Sequence, residues 1–99
     1  MEIKIQSIHF DATEQLKEFT EKKVVKLEKT YEDIHKVDIN FKVIKPATAM
    51  NKETSMTVAV PGTRLHVEKI CDTFEEGIDN CVDALKVQLS KFKEKLRNK

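Results

Sequence analysis

The residues best spaced for chemistry in this chain are lysines, and the chemistry they suit is binding to repeated phosphates. On a helical wheel with Leu16 at zero, Lys26, Lys22 and Lys29 fall at roughly 280°, 240° and 220°, with Lys23 near 340°. Glu28, Glu21 and Glu14 gather at roughly 120° to 160° instead, with Glu18 near 200° at the border and Lys17 near 100° among the acids. Cations three and four residues apart on one stripe form a row that matches a phosphate backbone. The plainer alternative is a solvated helix face knitted by ion pairs, but only Glu18 and Lys22 have the favourable order of Glu four residues before Lys. A second helix, near the C-terminus, places Lys91 and Lys95 on one side of its apolar stripe and Lys86, Lys93 and Arg97 on the other. Two such helices side by side would enclose a basic groove. The competing reading is that these lysine stems cover apolar core while their charges reach water.

Other chemistry finds no support. His9, His35 and His66 sit on different predicted elements, and none has a cysteine or acid at a metal-ligand spacing. Cys71 and Cys81 stand apart with no paired C-x-x-C, so reduced thiols are expected, one at a strand end and one in a helix core. Ser7, Ser55 and Ser90 lack the turn that activates a nucleophile, and Gly62 and Gly77 cannot build a phosphate loop. Tyr31 and Phe74 belong to apolar stripes, which assigns them to packing before base stacking. No catalytic residue, metal site, cofactor or small-molecule substrate is expected.

The formal net charge is only +1, low for a nucleic-acid binder, yet the charges are unevenly placed. Asp72, Glu75, Glu76, Asp79 and Asp83 occur with no cation between them, whereas Lys86, Lys91, Lys93, Lys95, Arg97 and Lys99 meet Glu94 alone. Acids at a helix start and bases at its end favour the macrodipole, but the basic run exceeds what that requires. No apolar run approaches the roughly 20 residues of a membrane span, and the N-terminus lacks a secretory pattern, so the cytoplasm is the expected compartment. Ninety-nine residues suffice for one domain, 1–99.

The elements that must position the lysines follow from periodicity. Residues 1–10 alternate through Ile3 and Ile5 as a strand with one buried face. Thr13 offers an N-cap for a helix over 13–31, with Leu16, Phe19, Val24, Leu27 and Tyr31 on its stripe. Val37, Ile39, Phe41 and Val43 alternate with Lys36, Asp38, Asn40 and Lys42 in a second strand. Residues 45–52 read as a loop, followed by strands through Met56, Val58 and Val60 and through Leu65 and Val67, joined at the Pro61-Gly62 turn. Asp72 with Glu75 suggests the cap of the last helix, whose stripe runs Phe74, Ile78, Cys81, Leu85, Leu89, Phe92 and Leu96. The class is α+β, in the order βαβββα. Each strand has one apolar face, so a four-stranded mixed sheet with both helices packed on one side is expected, its first two strands parallel through a right-handed crossover.

Residues 13–28 (TEQLKEFTEKKVVKLE) resemble the first helix of the ribosome hibernation-promoting factors, which begins T-E-x-L-[RK]-E-F and ends K-L-E. Residues 72–79 (DTFEEGID) and 85–96 (LKVQLSKFKEKL) resemble that family's D-M-Y-x-A-I and L-x-R-Q-L-x-K-x-K segments, and the likeness spans essentially the whole chain. It implies a fold similar to double-stranded RNA-binding domains. It also implies that helix cations bind small-subunit ribosomal RNA, in the channel used by mRNA and tRNA, so that translation is blocked without enzymatic activity. Lys23, Lys26 and Lys91 match basic positions of the pattern, and Lys93 and Lys95 match the basic tail of short members. Ala84 and Val87 stand where familiar members carry Lys and Arg, with Lys86 and Lys95 as the compensating cations. The expected RNA-binding set is therefore Lys22, Lys23, Lys26, Lys29, Lys86, Lys91, Lys93 and Lys95. The expected partner is the small ribosomal subunit and its rRNA, with no DNA, no membrane, and a monomer when free. The chain resembles the short form, lacking the second domain with which long members pair ribosomes. A rival reading is a protein-interaction adaptor acting through the helix-free sheet face or the acidic start of the last helix.

Overall fold

A computed structural model of the chain describes residues 1–8, 11–44 and 51–97. The elements are β1 (Glu2–Ile8), α1 (Glu14–Val24), α2 (Leu27–Thr30), β2 (Lys36–Val43), β3 (Lys52–Val60), β4 (Thr63–Cys71) and α3 (Phe74–Arg97). The strands form one sheet in the order β1-β2-β3-β4, with β1 and β2 parallel and the later pairs antiparallel. This is the expected βαβββα mixed sheet. His9, Phe10, Lys99 and most of the predicted loop, residues 45–50, lie outside the described residues, as do the side chains of Leu96 and Arg97. Lys52, placed in that loop by the sequence, instead opens β3 opposite Val43.

The period-two pattern explains which way the sheet faces. Val37, Ile39 and Phe41 of β2 and Thr54, Met56, Val58 and Val60 of β3 are buried under the helices. Ile3 and Ile5 on β1 and Leu65 and Val67 on β4 are half-buried at the margins of the same face. Gly62 closes the β3–β4 turn at φ 84°, the left-handed region that glycine enters without steric cost.

The first predicted helix is broken, and this corrects the expectation of one helix through Tyr31. Thr13 Oγ1 accepts from Leu16 N–H at 3.1 Å, as its capping role requires. After Val24, however, the backbone tightens: Lys26 N–H donates to Lys23 O, Glu28 N–H to Val25 O and Lys29 N–H to Lys26 O, each at 3.2 Å. Val24 and Val25 are adjacent β-branched residues, which hold a helix poorly. The tighter turn sinks both Val24 and Leu27 completely while Val25 stays in water.

The start of α3 has a cap beside the one expected. Thr73, next to the expected Asp72, supplies a capping oxygen, accepting from Glu76 N–H at 3.1 Å. From there α3 descends onto the sheet, and Gly77 permits its closest approach. A Cβ at Gly77 would collide with Thr54 Oγ1, and the Cys81 thiol contacts Thr54 O at 3.5 Å. Phe41 and Phe74 meet edge-on at 5.0 Å between centroids.

Two contacts set the relation of the helices to each other. Lys23 of α1 reaches Asp79 early in α3, and Tyr31 after α2 packs on Phe92 late in α3, 5.5 Å between centroids. The helices therefore run in the same direction, with both N-termini at one end of the molecule and both C-termini at the other.

Candidate nucleic-acid interface

That parallel arrangement decides where the charges go. The N-terminal portions of the helix layer, residues 14–21 and 74–85, carry seven carboxylates and one lysine. The C-terminal portions, residues 22–30 and 86–97, carry nine cations and two carboxylates. Helix direction thus turns a nearly neutral chain into a layer acidic at one end and basic at the other.

The wheel alone could not say which side of each helix faces its neighbour, and the contacts do. The Lys23–Asp79 pair turns the Asp79 side of α3 toward α1, and Lys86 and Lys93 lie on that side. On the opposite flank Asn80 Nδ2 donates to Cys71 Sγ at 3.4 Å at the end of β4, and Lys91 and Lys95 project that way. Lys22 precedes Lys23 on the side of α1 that reaches α3, Lys26 and Lys29 follow through the turn into α2, which packs on α3, and all three are exposed. The eight predicted lysines therefore do not form one patch. Lys22, Lys26, Lys29, Lys86 and Lys93 border the groove between the helices, whereas Lys91 and Lys95 line the outer flank of α3.

Lys23 stands apart from both groups. Its Nζ lies 3.2 Å from Asp79 Oδ1 and 5.4 Å from the centre of the Phe19 ring, and only 29% of its side chain is exposed. It joins two helices and is already neutralised. The other seven predicted lysines have no carboxylate within ion-pair distance among the described residues, and the Glu18–Lys22 pair anticipated from spacing is not formed. Seven unneutralised cations on one layer are the chemical content of the surface. Ala84 is half-buried and Val87 is 54% exposed, both on or near the outer flank with Lys91, so that flank is less basic than the groove.

Lys69 went unread in the sequence. It pairs in register with Thr54, so it shares the helix-covered face and stands exposed at the β4 margin beside α3. The parity of Leu65 and Val67 carries that signal, since Lys69 continues it.

The remaining reactive groups are structural. Cys71 and Cys81 are buried free thiols, and burial pushes the Cys81 thiol up to about 12, which suppresses thiolate chemistry. His66 Nδ1 lies 2.8 Å from Thr57 Oγ1 on the open sheet face, and His35 lies 3.4 Å from Asp33. Among the described residues no cluster of three metal-ligating side chains occurs, and no helix is long and apolar enough to cross a membrane.

Residues 3–97 match the family described as sigma 54 modulation protein / S30EA ribosomal protein. The chain is 31% identical over 97 residues to the ribosome hibernation promoting factor of Escherichia coli K12, covering 98% of each chain. The protein of the same name from Salmonella typhimurium matches at 31% over the same span. Among solved structures, a ribosomal subunit interface protein from Coxiella burnetii superposes with a TM-score of 0.85 at 26% identity, covering 95% of this chain and 99% of that one. The N-terminal domain of Protein Y from Thermus thermophilus superposes at 0.80 and 23% identity, a likeness of fold.

Proposed function

The chain belongs to the sigma 54 modulation / S30EA ribosomal protein family, and from that premise we propose that it is a ribosome hibernation factor. In this reading it binds small-subunit rRNA in the mRNA and tRNA channel and occludes both, without catalysing a reaction. The observation that carries the reading is the gathering of Lys22, Lys26, Lys29, Lys86 and Lys93 along one interhelical groove with no carboxylate neutralising them. Such a row is suited to successive phosphates, and its affinity comes from counterions released when cations meet the backbone. The relatives named for ribosome hibernation and for a ribosomal subunit interface support the same partner. The protein acts in the cytoplasm, where ribosomes are, as a monomer of one domain before it binds.

Inhibition is reversible and steric, since nothing in the groove is built to read base edges. Co-sedimentation with isolated ribosomal subunits over a salt series tests this. The protein should pellet with the small subunit, leave it as salt rises, and be displaced by mRNA and tRNA. Pelleting indifferent to salt would transfer the function to the open sheet face and the adaptor reading.

A further inference from the structure

Two aromatic residues that read alike in the sequence part company in the structure. Phe74 is buried against Phe41 and belongs to the core. Tyr31 stands where the helical backbone gives out, at φ −147° and ψ 118°, so its ring leaves the stripe that sinks Val24 and Leu27. It packs on Phe92 with the rings tilted by 54°, and both residues stay half-buried. The pair joins the end of α2 to α3 and so floors the groove at its basic end. Lys29 precedes Tyr31 by two residues, and Lys91 and Lys93 flank Phe92. All three lysines are exposed, with no carboxylate within ion-pair distance among the described residues. The other end of the groove offers a contrast. There the Phe19 ring is half-buried too, but Lys23 Nζ lies 5.4 Å from its centre and covers it. Among the described residues no cation lies over the Tyr31 ring, and the Tyr31 hydroxyl has no hydrogen-bond partner although it is not sealed from water. An aromatic body packed on one side, a wet polar tip and unneutralised cations beside it are what single-stranded nucleic acids bind: cations hold the backbone and the ring holds a base.

We propose that Tyr31 is a stacking platform for one unpaired nucleobase at the basic end of the groove, with the phosphates on either side of that nucleotide lying on Lys29 and Lys93. The ligand is single-stranded or splayed-out RNA. A base held in a duplex keeps its faces against its neighbours and cannot reach a ring recessed between two helices. Every base offers a face of the same kind, so the contact adds affinity without reading sequence, in keeping with a groove that has no groups aimed at base edges. The proposal rests on the reading that the groove binds RNA, and it adds which form of RNA fits its basic end.

Tyr31 is the only tyrosine of a chain with no tryptophan, so tyrosine emission reports this ring alone. The test titrates the protein at low salt with oligoadenylate, with inorganic polyphosphate of similar charge, and with oligoadenylate paired to oligouridylate, correcting the emission for nucleotide absorbance. Calorimetry on the same solutions gives the affinities. Oligoadenylate should quench the emission strongly, whereas saturating polyphosphate or duplex should leave most of it. Tyr31→Leu should lower affinity for oligoadenylate about tenfold and for polyphosphate less than about threefold, and Tyr31→Phe, which keeps the ring, should hold both within about threefold. Quenching by polyphosphate or duplex as deep as by the single strand, or an equal loss of affinity for oligoadenylate and polyphosphate in Tyr31→Leu, would overturn the platform. Should thermal melting find Tyr31→Leu unfolded, the emission of the unaltered protein decides. If polyphosphate binds and oligoadenylate does not quench, the platform alone falls; if neither binds, the groove reading falls and the platform with it.

Discussion

The helix layer and the open face of the sheet both carry charges of either sign and arrange them in opposite ways. On the open face, Lys4, Lys36, Lys42 and Arg64 are set among Glu2, Asp38, Glu53 and Glu68, so the signs balance across neighbouring strands. Lys36 Nζ, for example, lies 3.6 Å from Asp38 Oδ1 two residues along β2. Such exposed pairs add little stability, but they cancel each other's field. In the helix layer the signs are separated by length, and most lysines are left without a partner. Alternating charge makes a surface indifferent to polyanions, and segregated charge makes one that attracts them at one end and repels them at the other. The difference is why the proposed binding is placed on the helices rather than the sheet, although the chain as a whole is close to neutral.

The comparison depends on the two layers staying joined, so the largest effect should come from their shared core. Leu85 is fully buried between α3 and the sheet. Leu85→Ala should cost about 2 to 5 kcal/mol in chemical denaturation, because it removes buried side-chain volume and leaves a cavity. A neutral result would mean that α3 is not held by this core, and the alignment of its charges with those of α1 would lose its basis.

Charge reversal separates the two faces more directly. Lys26→Glu with Lys93→Glu should lower affinity for small subunits by on the order of a hundredfold and flatten its dependence on salt, because two groove cations become repulsive. Translation in an inhibited extract should recover accordingly. Lys91→Glu should cost less, since Lys91 lies on the outer flank beside Ala84 and Val87. Lys36→Glu with Lys42→Glu on the open sheet face should change little. Exposed substitutions of this kind usually shift stability by within about 0.5 kcal/mol, so unfolding would not account for the loss. If the sheet-face reversal abolishes binding and the groove reversal does not, the roles of the two faces are exchanged.

These two regions also differed in how much the sequence disclosed. The sheet was legible because period two leaves one choice of face for Val37, Ile39 and Phe41, and the opposite choice for Lys36, Asp38 and Lys42. The basic residues of the proposed surface were named from spacing and from the family resemblance, and the structure shows all of them except Lys23 without an ion-pair partner among the described residues. Their grouping was not legible. A wheel states that Lys86 and Lys91 lie on different sides of a helix, but which side meets a neighbour depends on contacts such as Lys23–Asp79 and Asn80–Cys71, made far along the chain. The same contact removed Lys23 from the free cations, which no local pattern signals. The break after Val24 was hidden because it serves burial of Val24 and Leu27 together. Lys69 was readable by parity and passed over because a lysine at a strand margin resembles solvent-facing polarity.

The smallest expected effect lies where the open sheet face departs from its own rule. Glu53 on β3 and Glu68 on β4 are like charges on neighbouring strands of that face. Sharing a hydrogen bond with Glu68 raises the Glu53 pKa above its ordinary 4.5, with partial burial and repulsion from Glu68 adding to the rise and Lys42 opposing it. The sign of the consequence follows from linkage. The folded state binds this proton more tightly than the unfolded chain does, so the pair stabilises the fold below the ordinary carboxylate range, and that contribution is lost as pH rises through the raised Glu53 value. Once Glu53 gives up this proton, the hydrogen bond to Glu68 is lost and the pair becomes mildly unfavourable. Glu53→Gln should therefore raise the melting temperature slightly at pH 7, have little benefit near pH 4, and reduce the slope of stability between them. The change should stay within about 0.5 kcal/mol, as for other surface positions, and melting curves across that range would resolve its sign. A variant that is destabilised at pH 7, or whose effect grows toward acid, would show that Lys42 governs Glu53 and that the face balances its charges here as it does elsewhere.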